Sequence, residues 1–214
     1  MKTFSNAHRS LLSIALLTVV PAVSQAHHAE FMSDRPFLQG LSMPVHGLDH
    51  LLVAIAVGLI AARLGGRALW LVPSSFTVAM MAGGVLNVLG VAVPLVEWGI
   101  LASLVVLGGV LARGSRLPLL LTAGGVALFA GFHGQALALN DGLVQSLPFF
   151  STGCLVTALV LQGTGIALGL SLQRFGADRI YRMAGCVLLM AAVLVSFFPE
   201  ANDWLIRVVE GAAQ

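Results

Sequence analysis

The densest chemistry in this chain lies in Met43-Pro44-Val45-His46-Gly47-Leu48-Asp49-His50, which runs directly into the apolar stretch 51–62. Two imidazoles and a carboxylate stand at the mouth of what the pattern predicts as a membrane-spanning helix. On a continuous helix His46 and His50 would lie one turn apart on one face, with Asp49 beside them. Ionisable groups at membrane depth are expensive, so this cluster points to an ion or proton site. Imidazole together with carboxylate suits a borderline divalent ion such as nickel, cobalt or zinc. Hard cations prefer shells made of oxygen. Cu(I) prefers sulfur, which Met80 and Met81 would supply.

Of the 214 residues, 58% are hydrophobic and 9% are charged, against about 25% charged in a soluble domain. So few charges cannot cover a water-facing surface. The fold class expected is therefore all-α, a polytopic membrane protein whose partner is the lipid bilayer. A net charge of +2 with no basic run argues against a nucleic-acid partner. Cys154 and Cys186 fall in apolar segments expected near opposite membrane faces. They read as packing residues, not a disulfide.

The start of the chain has the pattern of a targeting signal. Lys2 and Arg9 precede the apolar run 11–20, and Pro21 and then Ser24-Gln25-Ala26 follow. A basic region, a short apolar core and small residues at −3 and −1 describe a secretory signal peptide, residues 1–26. The alternative is an uncleaved signal anchor. Cleavage would expose His27 and His28, which with Glu30 could form a weak metal-collecting arm or a plain solvated leader. Residues 27–43 are expected as a periplasmic N-terminal segment, 44–199 as a six-helix transmembrane domain and 200–214 as a periplasmic tail.

The six apolar segments run at 44–62, 68–91, 94–112, 117–138, 148–172 and 180–199, each near the length a bilayer requires. Uninterrupted runs of this kind argue for helices and not a barrel. The loops after the odd spans hold Arg63, Arg67, Arg113, Arg116, Arg174, Arg179 and Arg182, whereas the other side holds Arg35 and Arg207. That bias places the odd-numbered loops in the cytoplasm and both mature termini outside a bacterial inner membrane. Gly165 and Gly169, and the pairs Gly83-Gly84, Gly108-Gly109 and Gly124-Gly125, read as sites of close helix packing.

With this orientation the polar residues share a depth. His46, Asp49, His50, Asn87, Glu97, His133 and Gln135 all fall toward the outer leaflet, and Gln162 near the middle of its span. The metal-ligating candidates are His46, Asp49, His50, His133 and Glu97, with Gln162 as a polar group placed behind the ligands. Several also have a structural reading: Asp49 as a helix cap or a partner for His50, Glu97 reaching water, Asn87, His133 and Gln162 as interhelical hydrogen-bonding groups. The sequence carries no Gly-x-Ser-x-Gly elbow, nucleotide loop or Cys-x-x-Cys, so no enzyme and no permanently bound cofactor is expected.

On these residues the chain resembles the HupE/UreJ family. Its pattern H-P-x-x-G-x-D-H is matched by Pro44, Gly47, Asp49 and His50, and F-H-G-x-A-H-G-x-E by Phe132, His133, Gly134 and Ala136. The late segment is matched by Gly165-Ile166-Ala167-Leu168-Gly169, and Pro94-Leu95-Val96-Glu97 followed by Ser103 also fits. Met43, Leu137 and Gln162 stand where the family has histidines, and Asn140 where it has glutamate. The resemblance implies a small membrane protein tied to hydrogenase or urease maturation and a permease for Ni2+ or Co2+. The alternative it leaves open is a non-transporting accessory protein for the same metalloenzymes.

Overall fold

A computed structural model describes residues 35–137, 146–174 and 178–197. Among these the chain forms seven helices and no strand: α1 Pro36–His46, α2 Leu48–Leu64, α3 Ala68–Val88, α4 Val96–Arg113, α5 Leu119–Gln135, α6 Leu147–Arg174 and α7 Asp178–Phe197. The helices α3, α4, α6 and α7 are each long and apolar enough to cross a bilayer, and α1 with α2 counts as a fifth if the bent pair is one span. Helix α5 is apolar but has 17 residues, about 26 Å of rise. Their outer faces carry large apolar groups in the open, such as Leu120 at 80% and Val78 at 69% exposure. In a chain so poor in charge, faces of that kind belong against lipid. The indoles of Trp70 and Trp98 are exposed as well.

Helix α2 is the centre of the bundle and touches each of the other six helices. Val53, Ala54 and every residue from Ala56 to Ala62 are buried. Small side chains on all sides explain this, because they let neighbours close in from every direction. The other helices then pair through glycines. A Cβ on Gly58 of α2 would collide with the Gln162 carbonyl of α6, and one on Gly165 with the Ile55 carbonyl. The same reciprocal contact joins α3 to α5, where Gly83 meets Gly131 and Gly134 meets Met80, and α4 to α7 through Gly108 and Gly185. The packing reading of these glycines thus holds for Gly83, Gly108, Gly165 and Gly169. Gly109, Gly124 and Gly125 have nothing near them.

The first span differs from the expectation. It begins at Leu48, not at Pro44, and residues 36–46 form a separate helix, with Pro44 inside it. Gly47 breaks the chain between them with an extended backbone, and the two helices meet at 77°. His46 closes α1 and His50 lies in the first turn of α2, so the one-turn relation of a continuous helix does not hold. Helix α1 lies along α6: Gly40 abuts the Phe150 carbonyl, Gly153 abuts the Phe37 carbonyl, and Thr157 Oγ1 donates to the Leu41 carbonyl at 2.7 Å.

Polar side chains tie off the end of α5. Asn87 Nδ2 donates to the carbonyls of Gln135 and Leu137, at 2.9 and 3.1 Å, two of the acceptors a helix C-terminus leaves open. Gln135 Nε2 donates to the Gly83 and Val91 carbonyls, each at 3.1 Å, and its Oε1 accepts from the Val93 N–H at 3.4 Å. These residues pin α5 to α3 and to the turn that follows α3. Leu95, in the left-handed region at φ 61°, then swings the chain into α4.

Glycine packing makes a direct prediction. Gly83→Leu and Gly165→Leu force helices apart and should lower stability by at least about 1–3 kcal/mol. Gly109→Ala meets open space and should be neutral or stabilise by up to about 1 kcal/mol. Thermal unfolding of the purified variants in detergent reads both effects.

Candidate functional site

Three of the expected residues come together where α2, α4 and α5 meet. The rings of His50 and His133 lie edge to face, perpendicular, with centroids 4.6 Å apart. His133 is completely buried, and Phe76 of α3 stands 6.2 Å from it. Asp49 is folded against its neighbour: its carboxylate accepts from the His50 backbone N–H at 2.9 Å and from the ring at Nδ1 at 3.0 Å. Its place in the first turn of α2 puts a negative charge at a helix N-terminus, where the helix dipole favours it.

The hydrogen bonds favour one tautomer for His133. Ser103 of α4 has one hydroxyl proton and gives it to the Ile100 carbonyl, at 2.6 Å. Its oxygen can therefore only accept from His133 Nε2, 2.9 Å away. His133 Nε2 is thus the N–H, and Nδ1 is a bare lone pair, buried and without a partner. On His50, Nδ1–H goes to the Asp49 carboxylate at 3.0 Å. The His50 Nε2 lies 3.4 Å from the His133 carbonyl oxygen, which only accepts, so the contact is a long hydrogen bond when Nε2 carries a proton and leaves Nε2 a free base when the ring is neutral. His133 is held at Nε2 and leaves Nδ1 unpartnered, while His50 is held closely at Nδ1 and only loosely at Nε2. A carboxylate behind one ring and a hydroxyl behind the other are the supports that orient imidazole ligands in metal sites.

Gly47 makes room for this arrangement. A Cβ there would stand 2.5 Å from Asp49 Oδ1 and 3.0 Å from His50 Nδ1. Its φ of −106° is open to any residue, so the requirement is for space alone. Gly99 does the same on α4, where a Cβ would strike the Phe132 ring beside His133.

The remaining candidates are placed as follows. Glu97 is half-buried in the first turn of α4, within electrostatic range of Asp49. Gln162 is buried deeper in the bundle, with Nε2 3.4 Å from Thr77 Oγ1 and Oε1 unpartnered. This matches its interhelical reading. Met43 packs against Phe150 and Cys154, and Leu137 is buried. His27 and His28 lie outside the described residues, as does the side chain of His46. Among the described residues no three His, Cys, Asp or Glu side chains are grouped closely enough to hold a metal as they stand. The part played by Ser103 was not legible in its own right, since a lone serine in an apolar helix usually serves packing.

Residues 14–195 match the family model described as HupE / UreJ protein. The chain belongs to the HupE/UreJ family. It is 34% identical over 193 residues to Protein HupE of Rhizobium leguminosarum bv. viciae, covering 88% of this chain and 95% of that one. No solved structure matches it. Family membership gives the motif residues a common address: Gly47, Asp49 and His50 from one motif and His133 from another meet in one place.

The tautomers are testable. In protein labelled with 15N at histidine, His133 should give one protonated and one unprotonated ring nitrogen, with the proton on Nε2. Ser103→Ala should disturb that assignment and, by leaving the Nε2–H unsatisfied, cost about 1–3 kcal/mol of stability. An unchanged His133 spectrum in Ser103→Ala would break the link between the two residues.

Proposed function

We propose that this protein is a secondary permease for a divalent transition-metal ion, nickel or cobalt. The observation that carries the reading is the close pair of imidazoles, with His133 Nδ1 buried and unpartnered and His50 Nε2 engaged only at 3.4 Å. With His50 neutral, its Nε2 and the His133 carbonyl oxygen beside it offer electron pairs to a cation, and imidazole selects borderline metals. His50 and His133 are the direct ligands in this proposal. Asp49 acts behind His50, and Glu97 supplies charge at the mouth. His46, the last residue of α1, is kept as a candidate ligand. Gln162 lies on the inner side of the site, and His27 and His28 collect the ion before it enters.

The same proposal includes six spans, with α5 as the shortest and α1 packed at the entrance. It also includes a signal peptide removed after Ala26, an inner-membrane location and both mature termini in the periplasm. The arginine bias of the loops supports that orientation. The delivered ion would serve hydrogenase or urease maturation, as the family resemblance implies. A second reading is a non-transporting accessory protein for those enzymes. It is favoured by the apolar packing of Met43 and Leu137, which occupy family histidine positions.

Uptake of radioactive nickel and cobalt by proteoliposomes decides between them. His50→Ala and His133→Ala should each lower uptake at least about tenfold, the factor that 1.4 kcal/mol of lost binding corresponds to. Ser103→Ala should reduce it less. Unchanged uptake in both histidine variants would overturn the site. No flux in the wild type, with a stoichiometric maturation enzyme bound, would favour the accessory role.

A further inference from the structure

The far end of α2 carries a second charged group that the metal reading does not use. Arg63 stands in the last turn of α2, thirteen residues and about 20 Å of helix from His50. Its side chain is only 9% exposed. Nη2 donates to the Gly114 carbonyl at 3.0 Å, and the guanidinium lies over the Tyr181 ring at 4.9 Å. Tyr181 is itself fixed by donating its hydroxyl to the Gly169 carbonyl at 2.6 Å. Two guanidinium nitrogens, Nε and Nη1, are buried with no partner.

A second guanidinium converges on the same spot. A Cβ built on Gly114 would lie 3.1 Å from Arg63 Nη2 and 3.5 Å from Arg182 Nε. Gly114 has φ 72°, so a side chain there would be strained as well as crowded. Arg116 lies within electrostatic range of Tyr181. The carboxylate that meets Arg63 is Asp178, at 3.4 Å and 76% exposed to solvent, so water weakens its hold. Two guanidiniums side by side, one of them stripped of water and short of acceptors, are under-neutralised.

We propose that Arg63 and Arg182, beside Gly114, form a binding site for a phosphate oxyanion. Guanidinium groups present forked N–H donors that match the oxygens of a phosphate. The site lies at the end of apolar helices, the depth at which the phosphates of lipid headgroups run. An anionic phospholipid and free inorganic phosphate offer the same oxygens, and the test separates them. The inference stands independently of the metal site at the other end of α2.

The test is thermal unfolding of the full-length protein in detergent, with phosphatidylglycerol, phosphatidylcholine or inorganic phosphate added. Phosphatidylglycerol should raise the midpoint by a few degrees and phosphatidylcholine should not. Arg182→Gln changes an exposed residue and should remove at least half of the shift, while Arg67→Gln, an exposed arginine at the same end, should keep it. Arg63→Gln should abolish the shift where the variant folds. A shift reproduced by inorganic phosphate and lost in Arg182→Gln supports the site with the free anion as its ligand. No shift with either phosphate source would overturn the proposal, as would equal losses in Arg182→Gln and Arg67→Gln.

Discussion

A helix sealed on every side by its neighbours can display polar groups only at its ends, and α2 is such a helix. From Val53 to Ala62 nearly every position is buried among apolar residues. An ionisable side chain in that stretch would have to lose its water for nothing. The polar residues of α2 accordingly gather at the two termini, with Asp49 and His50 in the first turn and Arg63 in the last. Their signs also agree with the helix dipole, a carboxylate at the positive end and a guanidinium at the negative end. The bundle is built around this one element, and the other helices bring their own polar groups to its two ends.

That constraint depends on close approach, which depends on glycine. Gly58 and Gly165 let α2 and α6 touch backbone to backbone, and Gly83 and Gly134 do the same for α3 and α5. Lipid offers no hydrophobic drive for helices to associate, so dense contact between small residues carries the packing. The consequence reaches the candidate site. His133 is two positions beyond Gly131 and adjacent to Gly134, so the contact that docks α5 onto α3 also holds His133 against His50. Asn87 and Gln135 then lock the end of α5 in place. The supports of the site are the packing contacts themselves.

Much of this was legible in the sequence. Length and charge poverty gave helices in a membrane, and the arginines marked one end. The grouping of Asp49, His50 and His133 followed from their shared position along the spans. What escaped the sequence was the break at Gly47. The apolar pattern and the motif both suggested one helix through His46 and His50, and Pro44 looked like a helix start. Pro44 in fact sits inside α1, and the turn falls three residues later. The signal was the glycine itself, but its role is steric: a side chain at 47 would occupy the space of the Asp49–His50 pair. Such a requirement depends on where two later side chains fold back, and no local propensity encodes it. Ser103 was hidden for the same reason, since its value lies wholly in a partner on another helix.

The departures from the family pattern take on meaning in this geometry. Met43 and Leu137 stand where the family has histidines, and both lie in apolar surroundings. The two imidazoles that remain are those with supports behind them, Asp49 for His50 and Ser103 for His133. A closed shell of four protein ligands is the design of a structural metal site. Such a shell holds its ion tightly, which is a poor property in a conduit. Two supported imidazoles leave the rest of a metal's coordination to water or to passing backbone oxygens, such as the carbonyl of His133 beside His50 Nε2. On the permease reading, apolar residues at 43 and 137 weaken capture more than they block passage. The supports, rather than the number of imidazoles, then set whether the ion finds a defined place to bind.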